Sequence, residues 1–304
     1  MLDGLTDDHA AAVARRFPDG ETWLAGLEAR LAEVVARWRL TPLRPLPGGI
    51  GGYLLDVRTA DGRDAVLKLS PTGGAQGAAN RLEAYALRRW AGDGAARMLG
   101  VDLAAGALLL ERCRPGATLD TLGDEEMLEH GCGLARRLQR PADDEDLLIL
   151  PRAAEEVAIR AQRFGGLMDA LGHPFSPARE QEIGALHRAL ATGDGAPVAC
   201  HGDLNPGNVL AHDGGHVAVD PLPVLADAAY DAVSLVWAKR SWLLAQPDRA
   251  EILRRRIAIA SDVLDADAEH VRAWALVRLT GVLDERSEWG GYDTAPFVAL
   301  AELL

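Results

Sequence analysis

From Trp23 to Trp38 the apolar side chains fall at 23, 24, 27, 31, 34, 35 and 38. That 3.6-residue rhythm predicts one helix with a single apolar stripe. Pro42, Pro45 and Pro47 then stop any helix. In YLLDVRT (53–59) and DAVLKLS (64–70) the pattern becomes strand-like, and Asp61-Gly62 between them predicts a hairpin. A glycine cluster, Gly48, Gly49, Gly51 and Gly52, precedes it. Residues 76–91 read as a helix with Leu82, Tyr85, Ala86, Leu87 and Trp90 on its apolar side. MLGVDL (98–103) and ALLLER (107–112) read as two more short strands joined by Ala-Ala-Gly.

Beyond residue 121 the pattern is mostly helical, over 121–139, 153–170, 177–192, 228–245, 247–264, 267–286 and 294–304. Two segments interrupt it: HGDLNPGNVL at 201–210 and a short hairpin around Gly214-Gly215. The acidic run DDED at 143–146 reads as a solvated loop. No internal repeat or low-complexity tract is visible. The expected class is α+β. Residues 1–112 form a small lobe with a helical start, a five-stranded antiparallel sheet and one inserted helix. A linker follows at 113–118, then a larger, mainly helical lobe over 119–304.

The composition, 48% hydrophobic and 25% charged over 304 residues, is that of an ordinary globular protein. A formal charge of −13 argues against a nucleic-acid partner or an anionic membrane surface, and is compatible with a cationic substrate. Cys113, Cys132 and Cys200 are far apart and lack C-x-x-C spacing, so neither a disulfide framework nor a zinc site is expected. The acidic start MLDGLTDDHA lacks a signal-peptide pattern, and no apolar run approaches membrane-spanning length. A reducing cytoplasm is the expected location. Oligomeric state is left open.

HGDLNPGNVL is poor material for a helix or a strand interior. Asp203 lies five positions before Asn208, and Asp220 follows Asp203 by seventeen, at the end of the strand-like HVAVD. A carboxylate, a carboxamide and a second carboxylate from neighbouring turns suit phosphoryl transfer from a nucleotide. One carboxylate orients the acceptor hydroxyl and takes its proton; the amide oxygen and the other carboxylate suit Mg²⁺, a hard cation. Upstream, Lys68 stands in a strand and Glu83 on the helix after it. A lysine pinned by a glutamate can hold the phosphates of ATP. In an alternating strand Lys68 shares a face with Val66, away from Ala65, Leu67 and Leu69. Gly49, Gly51 and Gly52 would let backbone approach the phosphates. The cluster departs from G-x-G-x-x-G, with Leu54 in the third position, and no G-K-[ST] occurs.

The order glycine loop, Lys, Glu, H-G-D-x-x-x-x-N, Asp matches the two-lobed protein-kinase-like fold. The sequence resembles the aminoglycoside phosphotransferase family. ALLLERCRPGATL, HGDLNPGNVL and VAVDPLPVLADAAYD are similar to its streptomycin 6-phosphotransferase and hydroxyurea phosphotransferase branch, where Asp-Pro stands in place of Asp-Phe-Gly. WLAGLEARLAEVVARW and RAWALVRLTGVLDERSEW extend the likeness over nearly the whole chain. The resemblance implies Asp203 as catalytic base, Asn208 and Asp220 as Mg²⁺ ligands, and Lys68 on the ATP phosphates. It implies Asp231 as a brace of the catalytic loop, and a linker around Glu111 and Cys113 that meets adenine through its backbone. The implied activity is transfer of phosphate to a hydroxyl of a small molecule, an antibiotic such as streptomycin or hydroxyurea.

Blander readings stand beside these. His201 is more simply a residue that orders the loop around Asp203 than a base in its own right. Asp284, Glu285, Glu288 and Asp293 could meet a guanidinium or ammonium group, but surface charge at a helix end is the preferred reading. Trp274 and Trp289 read as packing residues. Two alternatives remain at this point: a choline- or homoserine-type metabolite kinase on the same scaffold, and a non-catalytic nucleotide-binding scaffold.

Overall fold

In the computed structural model, which describes residues 5–47, 51–193, 197–289 and 293–304 (of His9 and 285–289 the backbone only), the chain divides into two units. The first is Met1–Gly116 with Ala211–Leu222; the second is Ala117–Leu210 with Pro223–Leu304.

In the first unit α1 (Asp7–Arg16) and α2 (Gly20–Arg37) lead into β1 (Thr41–Leu46), β2 (Tyr53–Arg58) and β3 (Asp64–Leu69). α3 (Gly74–Trp90) separates these from β4 (Met98–Asp102) and β5 (Ala107–Glu111), and β6 (Pro115–Thr118) follows. The sheet is antiparallel, in the order β1-β2-β3-β5-β4. β1 was not visible in the pattern. Its prolines stop a helix as expected, but β1 pairs only with β2, and an edge strand tolerates proline because its outer donors are not needed. Strand alternation sorts β3 cleanly: Ala65, Leu67 and Leu69 are fully buried in a core shared with Trp23, Leu27 and Val34 of α2. Burying each such leucine is worth about 2 kcal/mol. Val66 and Lys68 turn to the opposite face.

The segment 211–222, placed by sequence in the helical lobe, belongs to the first unit. Its strand end is fastened there: Ala218 donates to the Gly94 carbonyl at 2.8 Å and accepts from Ala96 N–H at 2.9 Å.

The second unit is mainly helical. Its elements begin with α4 (Asp124–Leu138), β7 (Arg140–Pro141), α5 (Asp144–Ile149), α6 (Ala153–Leu171), α7 (Pro177–Leu190) and β8 (Val198–Cys200). β9 (Val209–His212) leads into the first unit, where it forms the expected hairpin with β10 (Gly215–Ala218); in the second unit β11 (Val224–Ala226) pairs with β8 in the order β11-β8-β7. β10, β9 and β6 make a further three-stranded sheet in that order. α8 (Val233–Val236), α9 (Arg240–Ala245), α10 (Arg249–Leu264), α11 (Ala268–Trp289) and α12 (Ala295–Leu303) complete the chain. The helix expected over 228–245 is broken into a 3₁₀ turn at Ala228–Ala232, α8 and α9, with Lys239 in the left-handed region at φ 50°. The DDED run is not a loop. Asp143 caps α5, accepting from Glu145 and Asp146 N–H at 3.0 Å each, and Asp146 returns the bond to Asp143 N–H.

The stretch 271–283 of α11 is mostly buried, with Val271, Leu276, Leu279 and Leu283 fully so. α4 buries Met127, Leu128, Cys132 and Ala135 completely. A Cβ at its Gly131 would come within 2.6 Å of Leu235, so glycine there allows α4 to approach α8. No helix among the described residues is long and apolar enough to cross a membrane. The three cysteines are buried and unpaired.

Candidate active site

In the first unit three side chains from three distant segments meet. Lys68 Nζ donates to both Glu83 oxygens at 2.8 Å and to Asp220 Oδ1 at 2.5 Å. Lys68 comes from β3, Glu83 from the buried face of α3, and Asp220 from the turn after β10. Burial alone would push the lysine pKa down, but the Glu83 and Asp220 carboxylates outweigh it and hold it above the ordinary value. Burial raises the Glu83 carboxyl against the pull of Lys68. The Asp220 side chain is 52% exposed and keeps one face toward solvent, whereas those of Lys68 and Glu83 are 10% and 4% exposed. Asp220 adopts a left-handed backbone, φ 57°, a conformation Asp tolerates better than most residues.

Of the glycines, Gly49 lies outside the described residues. Gly51 is in an open turn with room for a side chain. Gly52 is held by packing: a Cβ there would stand 2.3 Å from the Leu69 carbonyl oxygen. Glu111 Oε1 accepts from Arg97 N–H at 2.6 Å, tying β5 to the segment before β4. Cys113 is buried, and burial pushes its thiol up to about 11.

In the second unit the HGDLNPGN segment forms a loop closed on itself. Asn205 accepts from Gly207 N–H at 2.9 Å, and Asn208 N–H donates to the Asn205 carbonyl at 2.9 Å. Asn208 Nδ2 donates to the Asp203 carbonyl at 2.9 Å and to its carboxylate Oδ2 at 3.1 Å. His201 is fully buried, and its Nδ1 accepts from Asp203 N–H at 3.3 Å. An acceptor Nδ1 puts the ring proton on Nε2, which suits a loop-ordering role. Asp231, 1% exposed, accepts from two successive amides: His201 N–H on Oδ2 and Gly202 N–H on Oδ1, both at 2.8 Å.

Sequence reasoning missed the residues that hold Asp231 in place. Gln139, at the end of α4, donates to the Ala228 carbonyl at 2.9 Å and reaches Asp231 Oδ2 at 3.5 Å. Asp227 caps the 3₁₀ turn carrying Asp231, accepting from Ala229 N–H at 2.9 Å, and is bound by Trp274 Nε1 and by His270 Nε2, the latter at 3.0 Å. An Asp two residues before the amide it caps is a local signal; the distant partners of Asp227 and Gln139 carry none. Trp274 packs edge-on to Tyr230 at 5.1 Å, as a packing residue. Asp284 faces Arg163 at 3.7 Å, and Asp293 accepts from Ala295 N–H at 3.0 Å. The side chains of Glu285, Glu288 and Trp289 lie outside the described residues.

Residues 37–284 match the family model described as aminoglycoside/hydroxyurea antibiotic resistance kinase. The chain belongs to this family. Its fold and its class of chemistry, transfer of a phosphoryl group to a small-molecule acceptor, follow from that membership. It is 30% identical to streptomycin 6-kinase of Streptomyces glaucescens over 277 residues, 89% of this chain and 86% of the relative. It is 32% identical to hydroxyurea phosphotransferase of Kitasatospora aureofaciens over 267 residues, 86% of this chain and 73% of the relative. Among solved structures, choline kinase LicA of Streptococcus pneumoniae shares the fold with a TM-score of 0.60 at 16% identity, covering 91% of this chain and 96% of that one. The streptomycin–ATP–APH(2")-IIa ternary complex shares it with a TM-score of 0.57 at 11% identity, covering 90% and 94%. As a member of this family the chain is an enzyme, which removes the non-catalytic scaffold from consideration.

Proposed function

We propose that this kinase transfers the γ-phosphoryl group of ATP to a hydroxyl of streptomycin or a related aminoglycoside, or to that of hydroxyurea, and so confers resistance. The observation that carries the reading is Asp203: its carboxylate is bound by Asn208, on a loop whose two preceding amides are fixed by Asp231. A carboxylate so placed orients an acceptor hydroxyl and takes its proton.

Lys68 neutralises the nucleotide phosphates and Glu83 keeps the ammonium aimed. Gly51 and the Glu111–Cys113 linker belong to the nucleotide side. The donor chemistry suits Mg²⁺: Asn208 uses its amide nitrogen on Asp203, which leaves the amide oxygen as its ligand atom, and Asp220 adds a half-exposed carboxylate. Among the described residues no three His, Cys, Asp or Glu gather into a cation cage. When bound, Mg²⁺ supplies charge neutralisation on the transferred group.

ADP release measured with streptomycin, hydroxyurea, choline and homoserine tests the acceptor. Turnover with either antibiotic is expected, and turnover confined to choline or homoserine overturns the proposal. Asp203→Ala is expected to lower kcat by about 100- to 10,000-fold while ATP still binds. Wild-type turnover in that variant would rule out the base.

A further inference from the structure

Arg278 lies in α11, inside the apolar run AWALVRLTGVL, where an arginine is out of place unless it has partners. Among the described residues it meets two that belong to the catalytic loop and its brace. Its Nη1 donates to the Gly202 carbonyl at 3.2 Å. Its guanidinium lies over the Tyr230 ring, 4.3 Å from the centroid, and Tyr230 is the residue before Asp231. The stack holds the planar group in one orientation.

The carbonyl of Gly202 and the amide of Asp203 are the two ends of one peptide plane. Arg278 holds the carbonyl end, and His201 Nδ1 holds the amide end. The plane before it is fixed by Asp231, which accepts from Gly202 N–H. Gly202 itself sits at φ 85°, in a region open to glycine, and a glycine lacks the Cβ that would stop the next plane from rotating. Rotation of that plane would redirect the Cα–Cβ bond of Asp203.

We propose that Arg278 is a positioning residue of this kinase: it clamps the Gly202–Asp203 peptide and so sets the direction of the Asp203 carboxylate. The inference rests on Asp203 acting as the base. It concerns the chemical step, not nucleotide binding, because the cluster of Lys68, Glu83 and Asp220 belongs to the other unit.

The test uses Arg278→Met, Arg278→Lys, Arg278→Ala and, beside them, Asp203→Ala. ADP release is read with Mg·ATP and streptomycin or hydroxyurea, and as slow hydrolysis of ATP where neither is turned over. Arg278→Met is expected to lower kcat about 10- to 100-fold, the cost of a misdirected catalytic group, with KM for Mg·ATP within about twofold. Arg278→Lys keeps the charge but not the planar stack, and is expected to fall between. Guanidinium chloride at a non-denaturing concentration is expected to restore part of the Arg278→Ala rate, against a sodium chloride control. That rescue distinguishes a positioned guanidinium from a residue that only supports folding. Wild-type kcat in Arg278→Met overturns the inference, as does a loss of rate that follows melting temperature and that guanidinium does not restore. Turnover retained in Asp203→Ala sinks the base assignment instead; turnover lost there but intact in Arg278→Met sinks the clamp alone.

Discussion

Lys68 Nζ stands 2.8 Å from both oxygens of Glu83, although fifteen residues and a change of element separate them. The pair is nearly dry, and the ammonium also reaches Asp220. Without Glu83, Lys68 would be drawn toward Asp220 alone. Glu83→Gln keeps the shape and removes the charge. Charged hydrogen bonds of this kind contribute about 1.5–3 kcal/mol, so the dissociation constant for ATP is expected to rise about 10- to 100-fold. Calorimetric titration with ATP and Mg²⁺ checks it; an unchanged dissociation constant refutes the role of the pair.

Asp231 offers a contrasting case, in the other unit. Each of its oxygens receives one backbone N–H of the catalytic loop. Asn at this position would turn an NH₂ toward a donor. Asp231→Asn is therefore expected to lose about 1–3 kcal/mol of stability and to lower kcat by about 10-fold or more, with KM for ATP little changed. Urea unfolding and steady-state kinetics on the same preparation read both effects. A variant with normal kcat would show that the brace is dispensable.

Asp220 is shared between two roles, since it accepts from Lys68 and is half-exposed. Asp220→Ala is expected to raise the Mg²⁺ concentration needed for half-maximal activity and to weaken Mg·ATP binding. Mg²⁺ titration of ADP release measures this directly. An unaltered Mg²⁺ dependence would remove Asp220 from the metal site.

These relationships differ in how far the chain announces them. The faces of β3 follow from alternation alone, because every second side chain must enter the same core. Asp203 and Asn208 sit five residues apart in a segment too polar and too broken by Pro206 and Gly207 for regular structure, and they do close into one hydrogen-bonded loop. The bonds of Gln139 to Asp231, of Trp274 to Asp227 and of Arg278 to Gly202 span 92, 47 and 76 residues, so no local period betrays them. The acidic run at 143–146 misled for a different reason: like charges suggest solvent, but Asp143 and Asp146 exchange hydrogen bonds as a helix start. Asp143→Ala is accordingly expected to cost about 1 kcal/mol, read as a lower urea midpoint.

His187 carries the pH prediction. It is 1% exposed on α7, and its Nε2 meets Thr280 Oγ1 at 2.8 Å. Burial chiefly, with the nearby Arg160 charge, pushes its imidazole down to about 4. An unfolded chain holds that proton up to about pH 6.5. The folded value lies below the unfolded one, so between these limits the unfolded state binds a proton that the folded state refuses. Stability then falls as the pH drops from about 6.5 toward about 4, by up to about 3 kcal/mol, and this contribution is flat above the window. Carboxylates titrate nearby, so the comparison that isolates His187 is with His187→Leu. Urea unfolding of both proteins between about pH 7 and about pH 4.5 is expected to show the wild type losing ground to the variant as acid is added. Parallel slopes for the two proteins would mean that the buried imidazole takes up its proton without cost.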